Sequence, residues 1–112
     1  FAGICKGAEG KPDHLLIFAD LGVNTNHADA LKRAMAYTAD GHKDFDAAEL
    51  QEGALCYATS KAHFQRNWYW LKPQVAADPA YAWIQSFGNG HQAWFPKSSG
   101  GRVFAVRRIP IQ

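Results

Sequence analysis

The spacing of apolar residues changes once along the chain, near Asn67, from a period of about 3.6 residues to about 2. Ahead of that point, His14-Leu15-Leu16-Ile17-Phe18-Ala19 is a continuous apolar run, short enough to be a buried strand. The Gly-rich residues 1–10 read as a fraying end or a first edge strand, and Lys11-Pro12-Asp13 as a turn. A helix is predicted after Asn24-Thr25-Asn26. Asn26 is a good N-cap with Asp29 three residues on, Leu31, Met35 and Thr38 follow at i, i+4 and i+7, and Gly41 supplies the stop. A second helix is predicted to start at Asp46, with Glu49 at capping-box spacing and Leu50, Ala54, Tyr57 and Ala58 as its apolar stripe. The acidic pair Glu49 and Glu52 is explained by that helix start rather than by catalysis.

After Asn67 the chain reads as strands. Trp68-Tyr69-Trp70-Leu71 is one, ended by Pro73; Tyr81 to Phe87 is the next, with Tyr81, Trp83, Gln85 and Phe87 on one face. Gly88-Asn89-Gly90 is a hairpin signal, because Asn-Gly takes the positive φ values that tight hairpin turns need. His91 to Phe95 returns, Pro96 marks an edge or an end, 97–101 is a loop, and Arg102 to Ile109 is the last strand. A strand, two helices and an antiparallel meander make the fold class α+β, with two helices packed on an antiparallel sheet.

Composition adds that there is one domain. A chain of 112 residues with 47% apolar and 20% charged residues is of ordinary globular make-up, which excludes a disordered tail, a collagen-like fibre and a coiled coil. No stretch approaches the roughly 20 apolar residues of a membrane-spanning helix. The net charge of +2 falls far short of a dedicated nucleic-acid binder, so a nucleic-acid partner is not expected. The charge is uneven, however: from Pro79 to Gln112 there are Lys97, Arg102, Arg107 and Arg108 and no acidic residue. Cys5 and Cys56 allow one bridge or two thiols, and spacing does not choose between them.

Candidate chemistry is sparse. The histidines His14, His27, His42, His63 and His91 have no zinc-binding spacing, and no metal or other cofactor is expected. Cys56 and His63, if helical, share a face but stand about 10 Å apart, too far for a nucleophile–base dyad. The glycine pairs punctuate strands and open no helix, so a phosphate cradle is excluded, and no Gly-x-Ser-x-Gly elbow exists. The chain is not read as an enzyme. Of the fifteen aromatics most must be core, but strand alternation in so small a domain leaves some exposed, and exposed Trp, Tyr and Arg anchor interfaces. The candidate ligand-binding residues are Trp70, Gln85, Asn89, His91, Gln92, Trp94, Lys97 and Arg102.

Three segments also resemble a family signature: Asn67-Trp68-Tyr69-Trp70; Tyr81-Ala82-Trp83-Ile84-Gln85-Ser86-Phe87-Gly88-Asn89-Gly90-His91-Gln92; and Gly101-Arg102-Val103-Phe104-Ala105-Val106-Arg107-Arg108. In order and spacing they are similar to the C-terminal domain type of the Legionella collagen-like adhesin, which occurs in bacterial surface proteins, phages and prophages. Leu71 departs from it, standing where that family has Ser or Thr. The resemblance implies a C-type-lectin-like fold over residues 1–112. It also implies ligand binding through loops and strand faces. The partner it points to is a host surface ligand, glycan or protein, met at a virion or cell surface; trimer formation in adhesin members leaves a homo-oligomer open. A small phage protein that blocks a host protein in the host cytoplasm is the alternative.

Overall fold

The computed structural model describes residues 3–5 and 13–110. Along the chain run β1 (Gly3–Cys5), β2 (His14–Thr25), α1 (His27–Ala36), β3 (Phe45–Asp46), α2 (Leu50–Ser60), a 3-10 turn (Lys61–His63), β4 (Trp68–Val75), β5 (Asp78–Ser86), β6 (Gln92–Pro96) and β7 (Gly101–Pro110). The strands form one sheet ordered β1-β2-β7-β4-β5-β6, with β3 paired to β7 beside that path. All pairings are antiparallel except β4 with β7, which is parallel. The α+β class stands, whereas the simple antiparallel meander needs correcting. β4, β5 and β6 do form a meander, but β7 leaves it and inserts between β2 and β4. Burial selects that position: Val103, Phe104, Ala105 and Val106 are consecutive and all buried, so this strand needs cover on both faces and has no place at an edge.

Alternation along the strands sorts the core into two clusters on opposite faces of the sheet. Trp70, Ala82, Ile84, Val103 and Ala105 face α1 through Ala30 and Ala34. Tyr69, Leu71, Phe87, Phe104 and Val106 face α2 through Cys56. Helix, sheet and helix therefore stack as three layers.

Asn26 caps α1 as predicted, its Oδ1 accepting the Asp29 N–H at 2.9 Å. The buried side of this helix is His27, Ala30 and Ala34, not Leu31, Met35 and Thr38; Met35 is 61% exposed. Small side chains let the helix approach the sheet closely and leave its long ones at the flank. The helix ends at Ala36, and Gly41 lies beyond it in a turn closed by an Ala39–His42 bridge.

The second helix begins at Leu50, four residues later than predicted, because Asp46 is in β3 and the capping-box spacing is met by Glu49 and Glu52. The Glu49 N–H donates to Glu52 Oε1 at 2.8 Å. The buried side is Glu52, Gly53, Cys56 and Ser60, whereas Ala54 and Ala58 of the predicted stripe are exposed. At Gly53 a Cβ would stand 2.7 Å from Leu71 Cδ2, so glycine sets how near the helix lies to β4. Pro73 does not end β4; the pairing with β5 shifts register between Trp70 and Gln74 and resumes. The Lys11-Pro12-Asp13 turn reaches outside the described residues, and a Cys5–Cys56 bridge lies outside the described side chains; Cys56 is buried in the core.

Glu52 is fully buried and is held from three directions. Arg108 on β7 donates Nε to Oε2 at 2.6 Å and Nη2 to Oε1 at 2.7 Å, and His14 on β2 donates Nε2 to Oε2 at 2.8 Å. Arg108 also reaches Asp46 Oδ2 at 3.0 Å and the Ala47 carbonyl at 3.0 Å, and Lys72 adds a 2.8 Å bond to Asp46. Burial alone would raise the Glu52 and Asp46 carboxyls, but the cations beside them prevail and hold both below the ordinary range. Glu52→Ala leaves a guanidinium and an imidazole facing an empty buried position. It is expected to cost about 3 kcal/mol or more in urea unfolding; a loss below about 1 kcal/mol would show that the network carries little.

His27 is buried, donates Nε2–H to the Leu71 carbonyl at 2.9 Å, and meets the Trp70 ring edge-on at 5.1 Å. Burial pushes its pKa below the ordinary 6.5, so the folded chain holds it neutral while the unfolded chain takes up a proton on acidification. Its contribution is therefore complete above pH 6.5 and declines as pH falls through that value toward the folded pKa. The Asp46 and Glu52 contributions follow only at lower pH, below the ordinary carboxylate values. Urea midpoints should drop from pH 7.5 to 5.5, and His27→Gln, which keeps a donor for Leu71, should flatten that drop.

Candidate ligand-binding surfaces

Two of the predicted site residues turn out to be scaffold. Trp70 is 2% exposed, with Nε1 donating to the Thr25 carbonyl at 2.8 Å. Gln85 is fully buried because α2 covers this face of β5, while Ala82 and Ile84 are buried on the other; the small domain does cover both faces here. The Gln85 amide donates to the Ser86 and Gly90 carbonyls, each at 3.1 Å. Its oxygen accepts from Gln92 Nε2 at 2.9 Å, and the same Gln92 nitrogen donates to the Leu50 carbonyl at 2.7 Å. These two amides fix the hairpin ends and tie them to the start of α2.

The hairpin forms as the sequence predicts. Asn89 Oδ1 accepts the His91 N–H at 3.0 Å, and Gly90 takes φ +83°. Asn89 and His91 are exposed at its tip. On β6, Trp94 lies opposite Trp83, the rings edge-to-face with centroids 5.6 Å apart. Trp94 is 50% exposed and is the one large aromatic so exposed among the described residues. Among the described residues the outer strand β6 pairs with β5 alone, so a line of surface runs from the tip through Trp94 to Pro96.

Lys97 follows that line. Its Nζ bonds Gln74 Oε1, and its carbonyl accepts the His27 N–H at 3.0 Å, joining the loop to the start of α1. Arg102 is half-buried elsewhere on the α2 face. Its Nε donates to the Tyr69 hydroxyl at 3.3 Å, and that hydroxyl donates to Asp20 Oδ2 at 2.6 Å. Burial and the bond to Asp20 raise the Tyr69 phenol, which stays protonated in this role. Arg102 is thus partly neutralised by Asp20, 4.0 Å away.

A feature no motif pointed to lies where α2 ends. A cleft of about 440 Å³ is lined by Tyr57, Lys61, Ala62, Phe64, Arg66, Phe87 and Gly88. Phe64 and Phe87 stack at 4.1 Å and Lys61 Nζ stands 5.2 Å from the Tyr57 ring centre. The lining comes from a helix end, an irregular segment and a hairpin, with no common period; in the sequence only Lys61 and Arg66 beside Tyr57 and Phe64 mark it.

Among the described residues no group of three or more His, Cys, Asp or Glu side chains is placed to hold a metal ion. Cys56 is buried, and His63 is exposed with its ring centroid 6.0 Å from that of Phe18. No helix among the described residues is long and apolar enough to cross a membrane. No protein-family model and no curated protein matches this sequence.

The hairpin and the cleft share a wall. A Cβ on Gly90 would stand 2.6 Å from the Tyr57 ring and would sit on a positive φ, whereas one on Gly88 would meet only Ser86 Oγ at 3.7 Å. Gly90→Ala should cost about 2 kcal/mol in thermal unfolding while Gly88→Ala stays within about 0.5 kcal/mol. Equal effects would mean that Tyr57 yields freely.

Proposed function

We propose that this chain is a non-enzymatic ligand-binding domain that recognises a host surface ligand, glycan or protein, through β6 and the β5–β6 hairpin. The observation that carries this reading is Trp94, half exposed and braced edge-on by Trp83 on the outer strand of the sheet. An aromatic held in place loses little side-chain freedom on binding, and its face suits either the C–H face of a sugar or an apolar side chain. Asn89 and His91 at the tip and Lys97 at the far end supply polar groups along the same strand. The family resemblance supports the same reading, and with it the finer C-type-lectin-like fold and an origin among phage and bacterial surface proteins.

An intracellular role, blocking a host protein, is the second reading. The outer edge of β6 supports it, since an unpaired edge can accept a strand from a partner.

The test is retention of the intact chain on immobilised host envelope and polysaccharide fractions, beside host cytosol. Trp94→Ala should lower retention on the envelope or polysaccharide at least tenfold without moving the melting temperature. Unchanged retention would remove Trp94 from the site. Capture of one cytosolic protein in stoichiometric amount, lost in the same variant, would favour the second reading.

A further inference from the structure

The cleft at the end of α2 adjoins the hairpin through Phe87 and Gly88 but does not include Trp94, and it has a chemistry of its own. Of the five arginines, Arg33, Arg102, Arg107 and Arg108 each have a carboxylate partner, and among the described residues Arg66 has none. Arg66 lines the cleft together with Lys61, which has no ion pair among the described residues either. Lys61 at the C-cap of α2 complements the negative end of that helix and lies against Tyr57, so its position is already restricted. Arg66 has no such duty.

The rest of the lining is Tyr57, Phe64, Phe87, Ala62 and Gly88. It contains no carboxylate and no side-chain amide, the groups that take up rows of sugar hydroxyls. Two cations with no carboxylate partner among the described residues, lining one cleft with three aromatic rings, fit an occupant with an anionic group and an apolar, flat body. The volume of about 440 Å³ lies within the ordinary range for small-molecule sites. The walls are braced: Phe64 stacks on Phe87 at 4.1 Å and on Phe18 at 4.9 Å, and Gly90 fits against the Tyr57 ring.

We infer that this cleft is a second binding site, taking an aromatic carboxylate, with Lys61 and Arg66 on the carboxylate and Tyr57 against the ring. Two sources present this chemistry: a free aromatic acid, or the C-terminal residue of a protein chain that ends in an aromatic side chain.

Calorimetric titration of the intact chain tests it with five probes: indole-3-acetate, indole-3-acetamide, sodium sulfate, and a hexapeptide ending in Trp with a free terminus or with an amidated one. The acid should bind at least tenfold more tightly than its amide and than sulfate. Arg66→Ala and Lys61→Ala should each weaken it at least tenfold, and Arg66→Lys should restore part of the loss. Arg66 is exposed, so a melting curve matching the parent shows that its variant folds. Trp94→Ala should leave acid binding unchanged, which separates this site from the β6 surface. Tighter binding of the free-terminus peptide than of indole-3-acetate would identify a protein terminus as the source, and the reverse a free acid. No binding of acid or peptide at millimolar concentration, sulfate binding as well as the acid, or an unaltered Arg66→Ala titration would overturn the proposal.

Discussion

The pairing of Glu52 with Arg108 is the constraint around which the fold is arranged. A carboxylate placed on the first turn of α2 and fully buried is costly to desolvate unless every lone pair finds a donor. Those donors come from β7, from β2 and from the helix's own backbone, so one side chain fixes the start of α2 against the middle of the sheet. Because Arg108 also holds Asp46 and the Ala47 carbonyl, the chain entering α2 is secured by the same guanidinium. A buried ion pair does not by itself add stability over a well-packed apolar pair. What it adds here is direction: the helix can dock in only one rotation, the one that puts Gly53 and Cys56 beneath it and turns Ala54 and Ala58 to solvent.

That rotation carries through to the surfaces. With Gly53 against Leu71 and Gln85, the N-terminal half of α2 covers β5 near its C-terminal end, and Gln92 joins the cover through the Leu50 carbonyl. At one end of this covered stretch Trp94 is left exposed beside the half-buried Trp83. At the other, Tyr57 and Lys61 overhang the hairpin and the cleft opens. Both candidate surfaces are what a helix of this length leaves uncovered.

The sequence made local features legible and non-local ones not. Asn26 as a cap, Asn89-Gly90 as a turn and the aromatic strands around them depend on neighbours within a few residues, and all are present. The buried helix faces depart from the apolar stripes because small or paired residues, with alanine, glycine and a glutamate among them, form the contact sides. Alternation put Gln85 on a face but could not show that a helix covers it. Nor could it show that Trp70 turns inward to the Thr25 carbonyl. Asn89, His91 and Trp94 are exposed, since a hairpin at the edge of a sheet has few neighbours to hide them. The cleft was invisible because its lining residues meet only when the helix end, the following loop and the hairpin are assembled.

The central place of β7 has a consequence for how the chain reaches this state. Among the described residues β7 follows every other strand in the sequence, yet β2 has only the three-residue β1 as its other partner, and β4 does not pair with β2. Until β7 arrives, the chain consists of a β4–β5–β6 hairpin array and a separate N-terminal segment with no sheet between them. Closing it requires pairing Leu15 with Ile109 across nearly the whole length, a contact of high sequence separation and correspondingly slow formation. Joining the two halves therefore waits on β7, and until β7 is free most of the apolar β2, beyond its short pairing with β1, has no strand beside it.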